Sequence, residues 1–163
     1  MRKYHILIAA IVVLVDRLTK AVVADRISLH DSVDVVPGIF RLTHVQNQGA
    51  AFGLFSDSSF PWKVALLILF SIAALAVVSA LLWKNGDALN ATAIALSLVF
   101  GGAVGNLWDR VASGRVIDFL DFYLGQHHWP AFNIADSAIV VGALLLLSEI
   151  FMAPHEEKAV SSQ

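Results

Sequence analysis

FNIADSAIVVGALLLLSEIFM, residues 132–152, opens with Asn133 and Asp136 and then carries one further charge, Glu149. A crossing of the hydrocarbon core takes about 20 predominantly apolar residues. Residues 134–152 therefore read as a membrane helix with a carboxylate at its mouth. Residues 4–24, 61–83 and 88–108 meet the same requirement. The chain is 58% hydrophobic with a mean hydropathy of +0.73, well above a soluble domain of 163 residues. The expected fold is an all-α membrane protein of four transmembrane helices with a small β-sheet and loop region.

Composition excludes several classes. There is no cysteine, so neither a disulfide framework nor thiolate chemistry is open to the chain. The net charge is -2 and its cations are scattered singly, which removes nucleic acid as a partner. The start, MRKYHILIAAIVVLV, resembles a signal peptide, but it passes into DRLTKAVVAD without a small-x-small cleavage pattern. It is expected to stay as the first helix.

Between the spans, Asn85-Gly86 predicts a tight turn joining the second and third helices, and Pro61 suits a first helical turn. Trp62, Trp83 and Trp108 suit interfacial anchors. VDVVPGIFRLTHV, residues 33–45, places β-branched residues on both sides of Pro37-Gly38 and predicts a strand pair at the membrane surface. Residues 109–133, with Gly114, Gly125 and Pro130, read as a second loop. Residues 1–153 are expected to form one domain, with 154–163 a polar, disordered tail. Gly101 and Gly105 form a G-x-x-x-G that permits close helix packing.

Ionisable groups inside spans cost roughly 2.5 to 3.5 kcal/mol each at a helix centre and are functional candidates by default. Asp16 and Lys20 in VDRLTK stand at i, i+4. They read equally as an ion pair closing a helix end, with Lys20 reaching to the interface. Asp136, taken alone, reads first as a helix cap: Asn133 caps the fourth helix and Asp136 reaches back three residues later. Asp118 lies in GRVIDFLDF between Val116-Ile117 and Phe119-Leu120, a setting that disfavours a lone ionised carboxylate. Facing Asp136, it would share one proton with it, the pattern of an aspartyl protease. Asp121 reads as a solvated loop acid. His44, His127 and His128 lack zinc-site spacing and read as loop histidines, and no G-x-S-x-G elbow is present. No metal and no cofactor is expected.

DRLTK (16–20), NQGAAFG (47–53), GNLWDR (105–110), VIDF (116–119) and FNIADS (132–137), in this order, closely resemble the lipoprotein signal peptidases, or signal peptidase II. The resemblance implies a multi-pass aspartyl protease of the bacterial inner (cytoplasmic) membrane, with both termini cytoplasmic and a small extracytoplasmic sheet beside a site near the periplasmic face. It carries the catalytic pair onto Asp118 and Asp136. Asn47, Asn106, Arg110 and Asn133 match polar residues lining the site. Asp16 and Lys20 match a supporting motif, and Gly49 and Ala135 fall within the matching stretches. Gln46 departs from the basic residue many members carry before the asparagine. The implied substrate is a prolipoprotein whose cysteine bears a diacylglyceryl group, cut on the N-terminal side of that cysteine by a monomeric enzyme in contact with membrane lipid.

The termini expectation opposes a simple count of cations. Arg17, Lys20, Arg26, Arg41, Lys63, Arg110 and Arg115 fall on the loop side, against Arg2, Lys3, Lys84 and Lys158 on the terminal side. Aspartates crowd the loop side as well, and are expected to neutralise several of those cations. The rival classes are a small proton-coupled transporter and a tetraspan scaffold. The first needs acids along a path, yet the middles of the second and third helices are uncharged, and the second has no use for paired acids and amides.

Overall fold

A computed structural model describes residues 3–49, 62–86 and 89–152. Pro61, Ala50–Gly53 of the NQGAAFG stretch and the tail 154–163 lie outside the described residues. Helices α1 (Lys3–Arg26), α2 (Lys63–Lys84), α3 (Ala91–Ser113) and α4 (Ile134–Met152) are accompanied by strands β1 (Ser32–Val36), β2 (Phe40–Asn47), β3 (Val116–Leu124) and β4 (His127–His128). Among the described residues, three helices are long and apolar enough to cross a membrane. These are α2, α3 and α4, whose apolar windows have mean hydropathies of 2.8, 1.5 and 2.0. The 24-residue α1 has the length, but Asp16, Arg17 and Lys20 interrupt its second half.

Helix α3 is the axis of the bundle, packing against α1, α2 and α4. Its ends follow local chemistry. The Asn90 side chain accepts from Ala93 N at 2.8 Å, and Gly114, at φ 72°, donates its N–H to Arg110 O at 3.0 Å. The glycine expectation holds. A Cβ on Gly101 would stand 2.8 Å from both Ala9 O and Val12 Cβ, and one on Gly105 would stand 2.8 Å from Asp16 Oδ2. Gly142 of α4 likewise lies against the α3 backbone at Ala95. Small residues bring the main chains together where packing, not water expulsion, holds helices.

The buried face of α1 comprises His5, Ala9, Val12, Asp16, Lys20 and Val23, a three-to-four-residue spacing that turns one stripe toward α3 and α4. By contrast, α2 buries only Val78 among its described residues. Trp62, Trp83 and Trp108 are all exposed near helix ends, as interfacial anchors require. At the end of the bundle away from the sheet, Thr92 Oγ1 donates to Glu149 at 2.5 Å and joins α3 to α4.

The sheet has the order β1-β2-β3-β4, with antiparallel pairing. The strand pair around Pro37-Gly38 is as expected, with Gly38 at φ 84°. Residues 109–133 differ from the expected loop: α3 continues to Ser113, and β3 lies in the middle of the sheet against β2. An isolated bridge joins Leu120 to Phe132. Phe119 N and Leu120 N donate to Phe132 O at 3.0 and 2.8 Å, and Phe132 N donates to Leu120 O at 3.1 Å. The residue before Asn133 is thereby fastened to the strand that carries Asp118.

Several side-chain expectations are corrected by this sheet, among them the loop placement of His127 and His128, which form β4 against Leu124 and Tyr123. Asp121 is no solvated acid: it is buried, accepts from Arg41 Nε at 2.7 Å, and lies 3.1 Å from His128 Nδ1. Being three residues apart on a strand, Asp118 and Asp121 point to opposite faces. His44 is a buried strand residue whose Nδ1–H donates to Ile27 O at 2.8 Å, just past the end of α1.

Candidate active site

Asp118 comes from β3, Asp136 from the first turn of α4, and Asn133 stands between them. The Asn133 side chain donates from Nδ2 to Asp118 Oδ1 at 2.7 Å, while its backbone N–H donates to Asp136 Oδ2 at 3.3 Å. Its Oδ1 accepts from Asp136 N at 3.0 Å. The reciprocal Asn133/Asp136 bonds are the capping box expected from the sequence. The helix cap and the paired carboxylates, which the sequence presents as alternatives, are the same residues.

Each carboxylate has a second amide donor. Asn47 Nδ2 donates to Asp118 Oδ2 at 2.9 Å, and Asn106 Nδ2 donates to Asp136 Oδ1 at 2.8 Å. Asp118 is 2% exposed and Asp136 5%. Burial pushes the Asp118 carboxyl up to about 7, the neighbouring charge of Asp136 adds to the shift, and the Asn47 and Asn133 donors oppose it. Burial thus biases Asp118 toward its protonated form.

Behind the pair lies a second set of charges. Lys20, 1% exposed, contacts Asp16 Oδ2 and Asp109 Oδ2, each at 2.8 Å. Arg17 also pairs with Asp109. Lys20 does not reach to the interface; two buried carboxylates hold it inside. Asp16 Oδ1 accepts from Ala135 N at 3.0 Å, which gives one of the orphan amides of α4 a partner from α1. Arg110 donates to Gly49 O at 3.0 Å, and Gly49 N donates to Asn47 Oδ1 at 2.7 Å. All ten residues singled out in the sequence thus fall in one connected polar cluster.

Asp109 was not assigned to the site; its signal was the i, i+3, i+4 set Asn106, Asp109 and Arg110, which shares a face of α3. Arg17, from the same VDRLTK stretch as Asp16 and Lys20, joins the cluster through Asp109. Across the loop-side cations, Arg17, Lys20, Arg26 and Arg41 each pair with an aspartate, as expected from the crowding of acids there. A cleft of about 660 Å³ between α1, α2 and α3, lined by Ala9, Val13, Leu14, Phe100, Val104 and Trp108 among others, contains neither aspartate of the pair. The two aspartates lie on the opposite side of α3, where Asn106 points.

Chemically, the arrangement offers two neighbouring carboxyls of different setting, buried in amide donors, with no activated hydroxyl beside them among the described residues. Such a pair can supply a proton donor and a proton acceptor side by side. Residues 8–152 match the family model described as signal peptidase (SPase) II. The lipoprotein signal peptidase of Solibacter usitatus (strain Ellin6076) is 41% identical over 154 residues, covering 94% of each chain. That of Geobacter sulfurreducens (strain ATCC 51573 / DSM 12127 / PCA) is 46% identical over 131 residues, covering 80% of this chain and 81% of its own. A bacterial membrane enzyme solved by the in meso method at 2.3 Å resolution superposes with a TM-score of 0.81 at 32% identity, over 98% of this chain and 94% of its own.

Proposed function

Because the chain belongs to the signal peptidase II family and is an aspartic protease of the membrane, we propose that it removes signal peptides from diacylglyceryl-modified prolipoproteins. The cut falls on the N-terminal side of the lipidated cysteine, and Asp118 and Asp136 do the chemistry. One observation carries this reading: two buried carboxyls from different elements, bracketed by a single asparagine that donates to both.

Asp136 is the anion in the resting enzyme. It sits in the first turn of α4, where the helix dipole favours negative charge, and it accepts from Asn106 and Asn133 N. Asp118 holds the shared proton. In the first step Asp136 takes a proton from a water molecule, whose oxygen attacks the scissile carbonyl carbon, while Asp118 passes its proton to the carbonyl oxygen. In the second step the tetrahedral carbon expels the amine, which takes the proton from Asp136, and Asp118 recovers its own from the hydroxyl. Asn47, Asn106 and Asn133 hold the carboxyls, Asp16 and Lys20 support α4 and Asn106, and Arg110 ties Gly49 to α3. Ala135 presents its N–H to Asp16.

The chain crosses the bilayer four times. Helix α1 is the fourth span, because its charged residues Asp16 and Lys20 face inward and its lipid side is Ile6, Leu7, Ile11, Leu14 and Leu18. The termini are cytoplasmic and the sheet lies at the outer face of the inner membrane, its cations largely neutralised by aspartates. Residues 1–153 act as one monomeric domain. Acyl chains on the substrate remain in the bilayer and hold the adjoining peptide bond at the depth of the pair, so the lipid supplies orientation.

The test uses purified enzyme in detergent with a lipid-modified precursor and its unmodified counterpart. Only the modified precursor should be cut, and Asp118→Asn and Asp136→Asn should each lower kcat by at least about 10²-fold to 10⁴-fold. Substantial turnover by either variant would remove the dyad.

A further inference from the structure

Lys20 makes one contact that charge balance does not require. Asp16 and Asp109 are matched by Lys20 and Arg17, two charges against two. Yet Lys20 Nζ also donates to Asn106 Oδ1 at 3.2 Å. The same oxygen accepts from Asn133 Nδ2 at 3.3 Å, and the other end of the amide, Nδ2, donates to Asp136 Oδ1 at 2.8 Å. A primary amide has one accepting end and one donating end, whereas an ammonium only donates and a carboxylate anion only accepts. Turned over, Asn106 would set its NH2 against Lys20 and its oxygen against Asp136, two repulsive contacts where water cannot relieve them. Lys20 therefore fixes which way Asn106 faces.

We propose that Lys20 is a positioning residue for peptide cleavage, locking the Asn106 amide so that its NH2 holds Asp136 as the proton-accepting carboxylate. The proposal rests on the dyad reading above. Among the described residues, the charged groups around Asp136 are Asp118 from β3, Arg110 from α3, and Lys20 and Asp16 from α1; Lys20 reaches the Asp136 carboxylate through Asn106, and through Asp16 it reaches only the backbone N–H of the preceding residue, Ala135.

The experiment compares kcat, KM and the pH profile of full-length Lys20→Gln, Asn106→Ala and the double variant on a lipid-modified precursor. Each single variant should lose about 10- to 100-fold in kcat with KM changed by less than about threefold, the loss of a hydrogen bond to a charged group. The acid limb of the profile should move to higher pH, because an Asp136 deprived of its donor ionises less readily. The double variant should be no worse than the poorer single one, since Lys20 acts through Asn106. Losses that multiply, or an acid limb unmoved in Asn106→Ala, would overturn the proposal. Lys20→Met/Asp109→Asn preserves the net charge and guards against a variant that fails to fold. It should show the same shifted limb as Asn106→Ala, and a wild-type profile there would reduce Lys20 to charge neutralisation. Asp118→Asn and Asp136→Asn run alongside: cleavage surviving in either defeats the dyad itself, whereas two inactive variants with multiplying losses defeat only the role of Lys20.

Discussion

Replacing Gly105 with alanine would test whether the carboxylate behind the site is held as tightly as its contacts imply. The added Cβ would stand 2.8 Å from Asp16 Oδ2, 3.3 Å from Asp16 Cγ and 3.4 Å from the Cβ of Ala135. Comfortable separation is nearer about 3.3 Å or more, so Asp16 has to recede by about half an ångström. It has nowhere to go. Asp16 is 0% exposed, its Oδ2 is 2.8 Å from Lys20 Nζ, and its Oδ1 holds Ala135 N at 3.0 Å. The same retreat would stretch these bonds toward about 3.3 to 3.5 Å, where they lose most of their strength. Overpacking of this kind costs about 1 to 3 kcal/mol, or roughly 4 to 8 °C in Tm for a loss of 2 kcal/mol in a chain of this size. Gly101→Ala is the control, because its Cβ meets Ala9 and Val12 at a similar 2.8 Å, away from Asp16. Thermal unfolding in detergent, followed by tryptophan fluorescence, should show similar losses for both variants. Cleavage of a lipid-modified precursor should fall by about tenfold or more only for Gly105→Ala, whose strain reaches the residue before Asp136. Wild-type melting and turnover in Gly105→Ala, or an equal loss of turnover in Gly101→Ala, would refute the reasoning.

Three further outcomes are expected. The Asp118 carboxyl is raised from 3.8 to about 7, so between those values the folded protein binds more protons than the unfolded chain and its stability falls as pH rises; melting curves of Asp118→Asn should lack this part of the decline, and identical pH slopes would count against the raised value. Asn133→Ala should lose about 1 kcal/mol from the cap of α4 and most of its turnover, whereas Asn133→Asp, which caps but sets a carboxylate oxygen where Nδ2 met Asp118 Oδ1 and Asn106 Oδ1, should lose both stability and turnover; wild-type melting and turnover in either would mean the donor is dispensable. Topology reporters inserted at Asn85-Gly86 should report the cytoplasm and those at Gln126 the exterior, and the reverse pattern would contradict the proposed orientation.

The helices were legible because apolar runs of membrane length admit few other structures, and the strand pair because Pro37-Gly38 announces its turn. The cap at Asn133 and the close approach at Gly101 and Gly105 followed from spacing alone. What stayed hidden depended on partners far along the chain. Strand β3 gave no alternating pattern: Val116, Asp118, Phe119 and Asp121 are all buried, so both faces are covered and the period of two disappears. Asp121 read as solvated because Arg41, its partner, is 80 residues away. Lys20 read as an interfacial cation because Asp109 and Asn106 reach it from another helix. Local spacing exposes a helix end or a turn, whereas the burial of a charge is decided by whichever segment folds against it.

The main-chain bonds between Leu120 and Phe132 have a mechanical consequence. Asp118 lies two residues before one end of this clasp, and Asp136 four residues after the other. The two carboxyls therefore behave like the jaws of a calliper whose screw has been locked: a force that tilts the sheet carries the head of α4 with it and leaves the gap between them unchanged. The spacing of the carboxyls is thus set by main-chain bonds and does not rest on side-chain packing alone.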